Sequence, residues 1–174
     1  MLRRAAGSVK VAGVVVATVH ARLPSGGGTW HDAPMADRDQ LIDVIAGFGL
    51  FADLTSPQLE GIVHTFDEMA FAGGERVLRQ GLAGSGFYVI IDGEANVLVD
   101  GNERARLGRG DFFGEVSILL GEAPIADVVA ISPLRCLVLA GPRVEDFLVA
   151  HPRIMYRMLQ AQSRRLRAAN RWRS

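Results

Sequence analysis

An eight-stranded jelly-roll β-barrel with helices on either side is the fold this 174-residue sequence predicts, and three observations predict it. Between Met69 and Leu139 the chain breaks into about eight short β-type runs, at a spacing typical of sandwiches and barrels, and jelly rolls are the common eight-strand solution. Turn-forming breakers separate the runs: Gly73-Gly74, Gly84-Ser85-Gly86, Asp92-Gly93, Asp100-Gly101-Asn102, Gly108-Arg109-Gly110 and Ser132-Pro133. On both sides of this region the apolar spacing is helical, so the class is mainly β with flanking helices.

The N-terminal segment stands apart. Met1–Ala21 has a positive start, a short apolar stretch over Val11–Val19 and a small-residue end, a loose secretory-signal pattern. The stretch is glycine-interrupted, however, and soon runs into Pro24-Ser25-Gly26-Gly27-Gly28, which has linker composition. Residues 1–35 are therefore read as a disordered leader, or as an upstream extension of a chain whose natural start is Met35, and residues 36–174 as the folded domain. Leu41, Ile42, Val44 and Ile45 predict a helix over Asp37–Ala46, closed at Gly47 or Gly49. Phe48, Leu50, Phe51 and Leu54 follow as a packed connector. Ser56-Pro57 reads as an N-cap hydroxyl followed by a first-turn proline, opening a helix that buries Leu59, Ile62, Val63 and Phe66.

The strands are expected at Met69–Phe71, Val77–Arg79, Phe87–Asp92, Ala95–Val99, Arg104–Leu107, Asp111–Phe112, Ala126–Ile131 and Arg135–Leu139, a β-roll of about 67–140. One helical piece, Glu115–Leu120, interrupts them. The C-terminal helices span about 143–171: a short one with Val144, Phe147 and Leu148 stops before His151-Pro152, and a longer one runs from about Arg153 to Arg171. Its apolar residues Ile154, Met155, Met158, Leu159 and Leu166 are spaced for one face. Met155 and Leu159 are expected toward the roll, the arginines outside, and Met158 with Leu166 along a seam for a homodimer or a partner protein.

The net charge is zero, but it is unevenly spread. Residues 37–150 carry eight arginines against eighteen acids, while residues 151–174 carry seven arginines and no acid. A basic tail on an acidic body either folds back on it or meets an anionic partner. No run of eighteen apolar residues is present, so no membrane span is expected. The single cysteine, Cys136, excludes an intramolecular disulfide, and in an apolar strand it reads as a buried, inert thiol. His20, His31, His64 and His151 show no ligand spacing, so no metal site is expected. Gly84-Ser85-Gly86 lacks the glycine spacing of a nucleophile elbow, and no catalytic constellation is present, which argues against an enzyme.

Four segments in this order resemble the cyclic nucleotide-binding domain family, which includes catabolite activator protein and protein kinase A regulatory subunits. They are Val77-Leu78-Arg79-Gln80-Gly81, the run Phe87–Glu94, the run Gly108–Glu115, and the hydrophobic strand around Cys136. The resemblance covers roughly residues 45–165 and implies a double-stranded β-helix with a ligand cassette. It implies that Gly114 gives the backbone room, that Glu115 accepts from a ribose hydroxyl, and that amides over Glu115, Val116 and Ser117 face a cyclic phosphate. An arginine normally follows to pair that phosphate.

Here the pattern departs. The chain reads Gly121-Glu122-Ala123-Pro124-Ile125-Ala126-Asp127-Val128, so Pro124 or Ile125 takes the arginine position according to register, beside Ala126 and Asp127. No Arg or Lys lies between Arg109 and Arg135, and Asp127 near a phosphate would repel it. A charge-assisted hydrogen bond contributes about 1.5–3 kcal/mol, so its loss weakens binding by a decade or more. Asp127 is alternatively expected to latch an arginine of the C-terminal helix. The expected function is a stand-alone, non-catalytic, cytoplasmic regulatory domain with a possible cyclic nucleotide ligand, no other cofactor and doubtful tight cAMP binding. The alternatives are a ligand-free interaction module and an atypical nucleotide binder. Because the chain ends at Ser174, where the family's transcription factors continue into a helix-turn-helix domain, no sequence-specific DNA binding is expected.

Overall fold

The computed structural model describes residues 38–82 and 86–171, so the expected leader and Gly84-Ser85 lie outside the described residues. Two helices lead, α1 (Arg38–Ala46) and α2 (Ser56–Thr65). Six strands follow, β1 (Asp67–Phe71), β2 (Arg76–Leu78), β3 (Gly86–Asp92), β4 (Ala95–Val99), β5 (Asn102–Leu107) and β6 (Phe112–Phe113). Then come α3 (Glu115–Leu120), β7 (Asp127–Ala130), β8 (Leu134–Ala140), α4 (Val144–Ala150) and α5 (Pro152–Arg171). A single 3-10 turn, Gly141–Arg143, links β8 to α4.

The eight strands form two antiparallel four-stranded sheets, ordered β1-β8-β3-β6 and β2-β7-β4-β5, which is the jelly roll the sequence predicts. Alternation along β3 and β8 explains how one sheet serves two cores. Phe87, Val89 and Ile91 of β3, with Leu137 and Leu139 of β8, face the helices. Ile90, Leu134, Cys136 and Val138 point the other way and meet Leu78, Ala95, Leu107, Phe113 and Val128 between the sheets. A strand buried on both faces needs a continuous hydrophobic run, and Phe87–Ile91 supplies one. Cys136 is fully buried, and burial pushes its thiol up to about 12, which makes it inert.

Two sequence expectations change in the helices. The α2 cap is Thr55, one residue earlier than Ser56: its backbone N–H donates to Gln58 Oε1 at 2.9 Å, the reach-back of a capping box. The apolar residues of α5 do not share one face. Ile154 and Met158 are buried with α1, α2 and α4, whereas Met155, Leu159 and Leu166 are 46%, 63% and 64% exposed. Met158 therefore anchors the helix in the core, and Met155 and Leu159 do not turn toward the roll. The reason is angular: at about 100° per residue, positions 154, 158, 161 and 165 stack on one line, with 155, 159 and 166 about a third of a turn away.

Candidate ligand pocket

A cavity of about 530 Å³ lies among α3, the segment before β7, the strands β4 and β5, and the distal part of α5. Seven of the eight residues expected at the site line it: Gly114, Glu115, Val116, Ser117, Pro124, Ile125 and Ala126. Asp127 does not. Val128 and Ala130 point between the sheets, so alternation turns Asp127 to the opposite face of its sheet. There its Oδ1 accepts from the backbone N–H of Gln80 at 2.8 Å and its Oδ2 lies 3.5 Å from Arg76 Nε. Asp127 neither repels a pocket anion nor latches α5; it ties the end of β2 to the start of β7.

Gly114 is demanded by the backbone. Its φ is +89°, in the left-handed region, and a Cβ there would collide with the carbonyl oxygen of Gly86. This close approach of two glycines lets the chain leave β6 and turn directly into α3. Ser117 then donates from Oγ to the Gly114 carbonyl at 3.0 Å, so its hydroxyl is spent on the turn. Pro124 is fixed by its carbonyl, which accepts from the Gly81 N–H at 2.8 Å. Ile125 is 61% exposed at the rim of the cavity.

The first residue of α3, Glu115, is only 2% exposed. Its Oε1 accepts from Arg165 Nη1 at 2.9 Å and from Gln162 Nε2, both on α5. Arg165 also donates from Nη2 to the Phe112 carbonyl at 2.6 Å and lies over the Phe112 ring at 4.5 Å. Glu115 Oε2 is buried and has no hydrogen-bond partner among the described residues. Burial pushes the carboxyl above the ordinary glutamate range, against the opposing pull of Arg165, a backbone hydrogen bond and Gln162. Thus α5 reaches the one buried carboxylate of the pocket, while Ala168 and Ala169 of the same helix form part of its wall.

The expectation that the arginines of α5 stay outside holds only in part. Arg165 points inward, and Arg157 forms a two-point pair with Asp53, Nε to Oδ2 and Nη2 to Oδ1, each at 2.7 Å. This pair holds Asp53 below the usual carboxylate range. Sequence reasoning missed Arg157, Gln162 and Arg165. Their signal was spacing: Ile154, Met158, Ala161 and Arg165 lie one helical turn apart, so a buried start directs the later residue inward.

The family model of the cyclic nucleotide-binding domain matches residues 68–151, from β1 through α4. The β-roll has the cyclic nucleotide-binding fold. A cGMP-dependent protein kinase of Caenorhabditis briggsae is 34% identical over 105 residues, covering 57% of this chain and 14% of that kinase. Among solved structures, the catabolite activator protein of Thermus thermophilus is 26% identical with a TM-score of 0.63, covering 70% of this chain and 60% of that one. A regulatory subunit of a cAMP-independent protein kinase A from Trypanosoma brucei is 26% identical with a TM-score of 0.61, covering 71% of this chain and 47% of that one. The chain thus spans less than two thirds of each of these proteins. Among the described residues no helix is long and apolar enough to cross a membrane, and no cluster of metal-ligating side chains occurs.

Proposed function

We propose that this chain is a non-catalytic regulatory module, working in the cytoplasm, that takes a small ligand beneath α5 and reports occupancy by shifting that helix. The observation that carries this reading is the hold of Arg165 and Gln162 on Glu115. A ligand donor that reaches Glu115 competes with the helix for the same carboxylate, so occupancy and helix position are linked by differential contacts. The usual tight grip on a cyclic phosphate is not expected, because Pro124 and Ile125 form the wall where the family places its arginine. The Trypanosoma relative, described as cAMP-independent, supports the idea that this fold regulates without cAMP.

The test is a melting and hydrogen-exchange titration with cyclic nucleotides and nucleosides. A ligand that binds only the folded state stabilises it by about 2.7 kcal/mol at 100 times its dissociation constant. Raised melting temperature together with altered exchange in the distal half of α5 is the expected result. Absence of both with every compound would favour a second reading, a ligand-free interaction module. The exposed stripe of Met155, Leu159 and Leu166 on α5 speaks for that one, as a contact for a homodimer or a partner protein.

A further inference from the structure

The cavity carries a cation that the cassette pattern does not foresee. Arg104 lines it from β5 and pairs with no carboxylate among the described residues. The other basic side chains at the cavity are committed: Arg165 to Glu115, and Arg106 to Glu94 at 2.5 Å. Asp111, the second acid of the lining, accepts from the Gly108 N–H at 2.9 Å. Arg104 occupies a special place in its strand. Val97 pairs with Ala105 but Leu98 pairs with Glu103, which leaves Arg104 as the extra residue of a bulge. Bulges free a residue from the ladder and re-aim its side chain, and they concentrate beside binding sites.

The register fixes where this cation sits. Val97 and Leu98, which flank the bulge, pair on their other edge with Val128 and Asp127. Arg104 is therefore level with the start of β7, directly after the Pro124–Ala126 wall, and two strand spacings across the sheet, about 10 Å. Val97 and Val99 of the intervening β4 line the cavity between them, and Leu107, Phe113 and Val116 make further apolar lining. We propose, resting on the ligand-sensing reading above, that Arg104 holds the negative charge of the ligand in place of the cassette. The site then takes an apolar organic monoanion with a hydroxyl or amine that competes with Arg165 and Gln162 for the Glu115 carboxylate. A charge facing Pro124 and Ile125 would meet no cation and lose its hydration; a charge at Arg104 meets one.

Calorimetry of the full chain with cAMP and with adenosine, a matched anionic and neutral pair, tests this. Arg104→Gln is expected to weaken cAMP by about tenfold or more, the loss of one charge-assisted contact, and to change adenosine by less than about twofold. Arg104→Lys is expected to keep most of the cAMP affinity, which a merely structural role at the bulge would not predict. Because Arg104 is exposed on an edge strand, both variants should fold, and an unchanged melting temperature checks it. Unchanged cAMP affinity in Arg104→Gln overturns the assignment and leaves the sensing reading intact. Binding of neither probe at millimolar concentration overturns the assignment, and the sensing reading then falls only if every compound of the cyclic nucleotide and nucleoside panel is also silent.

Discussion

Arg165 and Glu115 lie fifty positions apart in the chain, and their side chains meet at 2.9 Å across the junction of α5 with the β-roll. The pair is lopsided: the glutamate side chain is 2% exposed and the arginine side chain 35%. Removing the arginine strands a buried carboxylate, which takes up a proton or draws in water. Arg165→Met should therefore cost about 1–3 kcal/mol, toward the lower part of the range for a lost charged partner, since the guanidinium is partly solvated. Hydrogen exchange is the more specific readout. Amides over 159–170 should exchange faster in the variant, while those around Ile154 and Met158, which are packed in the core, should not change.

The raised Glu115 carboxyl sets a pH dependence with a definite sign. Between the ordinary glutamate value and the folded value, the folded protein binds more proton than the unfolded chain. Stability attributable to this group therefore falls as pH rises through that window and is fully present below about pH 4. Asp53, held low by Arg157, has the opposite sign, losing its contribution as pH falls. Urea melts of the native chain and of Glu115→Gln, taken pairwise across the acid range, isolate the first effect because Asp53 is common to both. The native chain should lose stability relative to the variant as pH rises. A flat difference would show that Arg165 already offsets the burial.

The sheets were legible in the sequence because a strand buried on both faces leaves a run such as Phe87–Ile91, and because glycines punctuate the turns. The residues that family spacing singled out, Gly114–Ser117 and Pro124–Ala126, line one cavity. What stayed hidden depended on which way a side chain faces. Asp127 adjoins the cassette in sequence, yet strand alternation turns it to the opposite face of the sheet, toward Arg76. Arg104 opens an expected strand, Arg104–Leu107, with nothing in the sequence to set it apart, and only the pairing register reveals its bulge. The stripe on α5 was read one face too wide, since five apolar residues within thirteen positions fit both the core line and the solvent line of a helix.

That division of α5 sorts its residues by experiment. Met158, 3% exposed, belongs to the core, and Met158→Ala should cost about 2–5 kcal/mol in a urea melt. Leu159 and Leu166 lie in solvent, so Leu159→Asp with Leu166→Asp should leave the fold within about 1 kcal/mol of the native chain. If the stripe is a homodimer contact, sedimentation of the native chain should show a dimer, and the double variant a monomer of unchanged melting temperature. A native chain that remains monomeric at tens of micromolar would exclude the homodimer and leave a heterologous partner as the occupant of the stripe.

Restoring a cation to the cassette tests the departure from the family pattern, and the structure decides which substitution to make. Pro124 has its carbonyl bonded to the Gly81 N–H and its ring in the pocket wall, so changing it also disturbs the turn. Ile125 is 61% exposed at the cavity rim, where a longer side chain has room to enter without repacking. With the charge held by Arg104, Ile125→Arg should leave cAMP affinity within about twofold of the native chain. A gain of about tenfold or more, the equivalent of about 1.5–3 kcal/mol from a charge-assisted bond, would put the phosphate at this wall and overturn the Arg104 assignment. Adding Asp127→Thr should bring no gain, because Asp127 faces away from the cavity. It should instead cost about 1–2 kcal/mol by removing the charged acceptor of the Gln80 N–H. Calorimetry gives the affinity and a urea melt gives the cost. Equal cAMP affinity in the native chain and Ile125→Arg would mean that the phosphate does not approach this wall, the outcome expected if Arg104 holds it on β5.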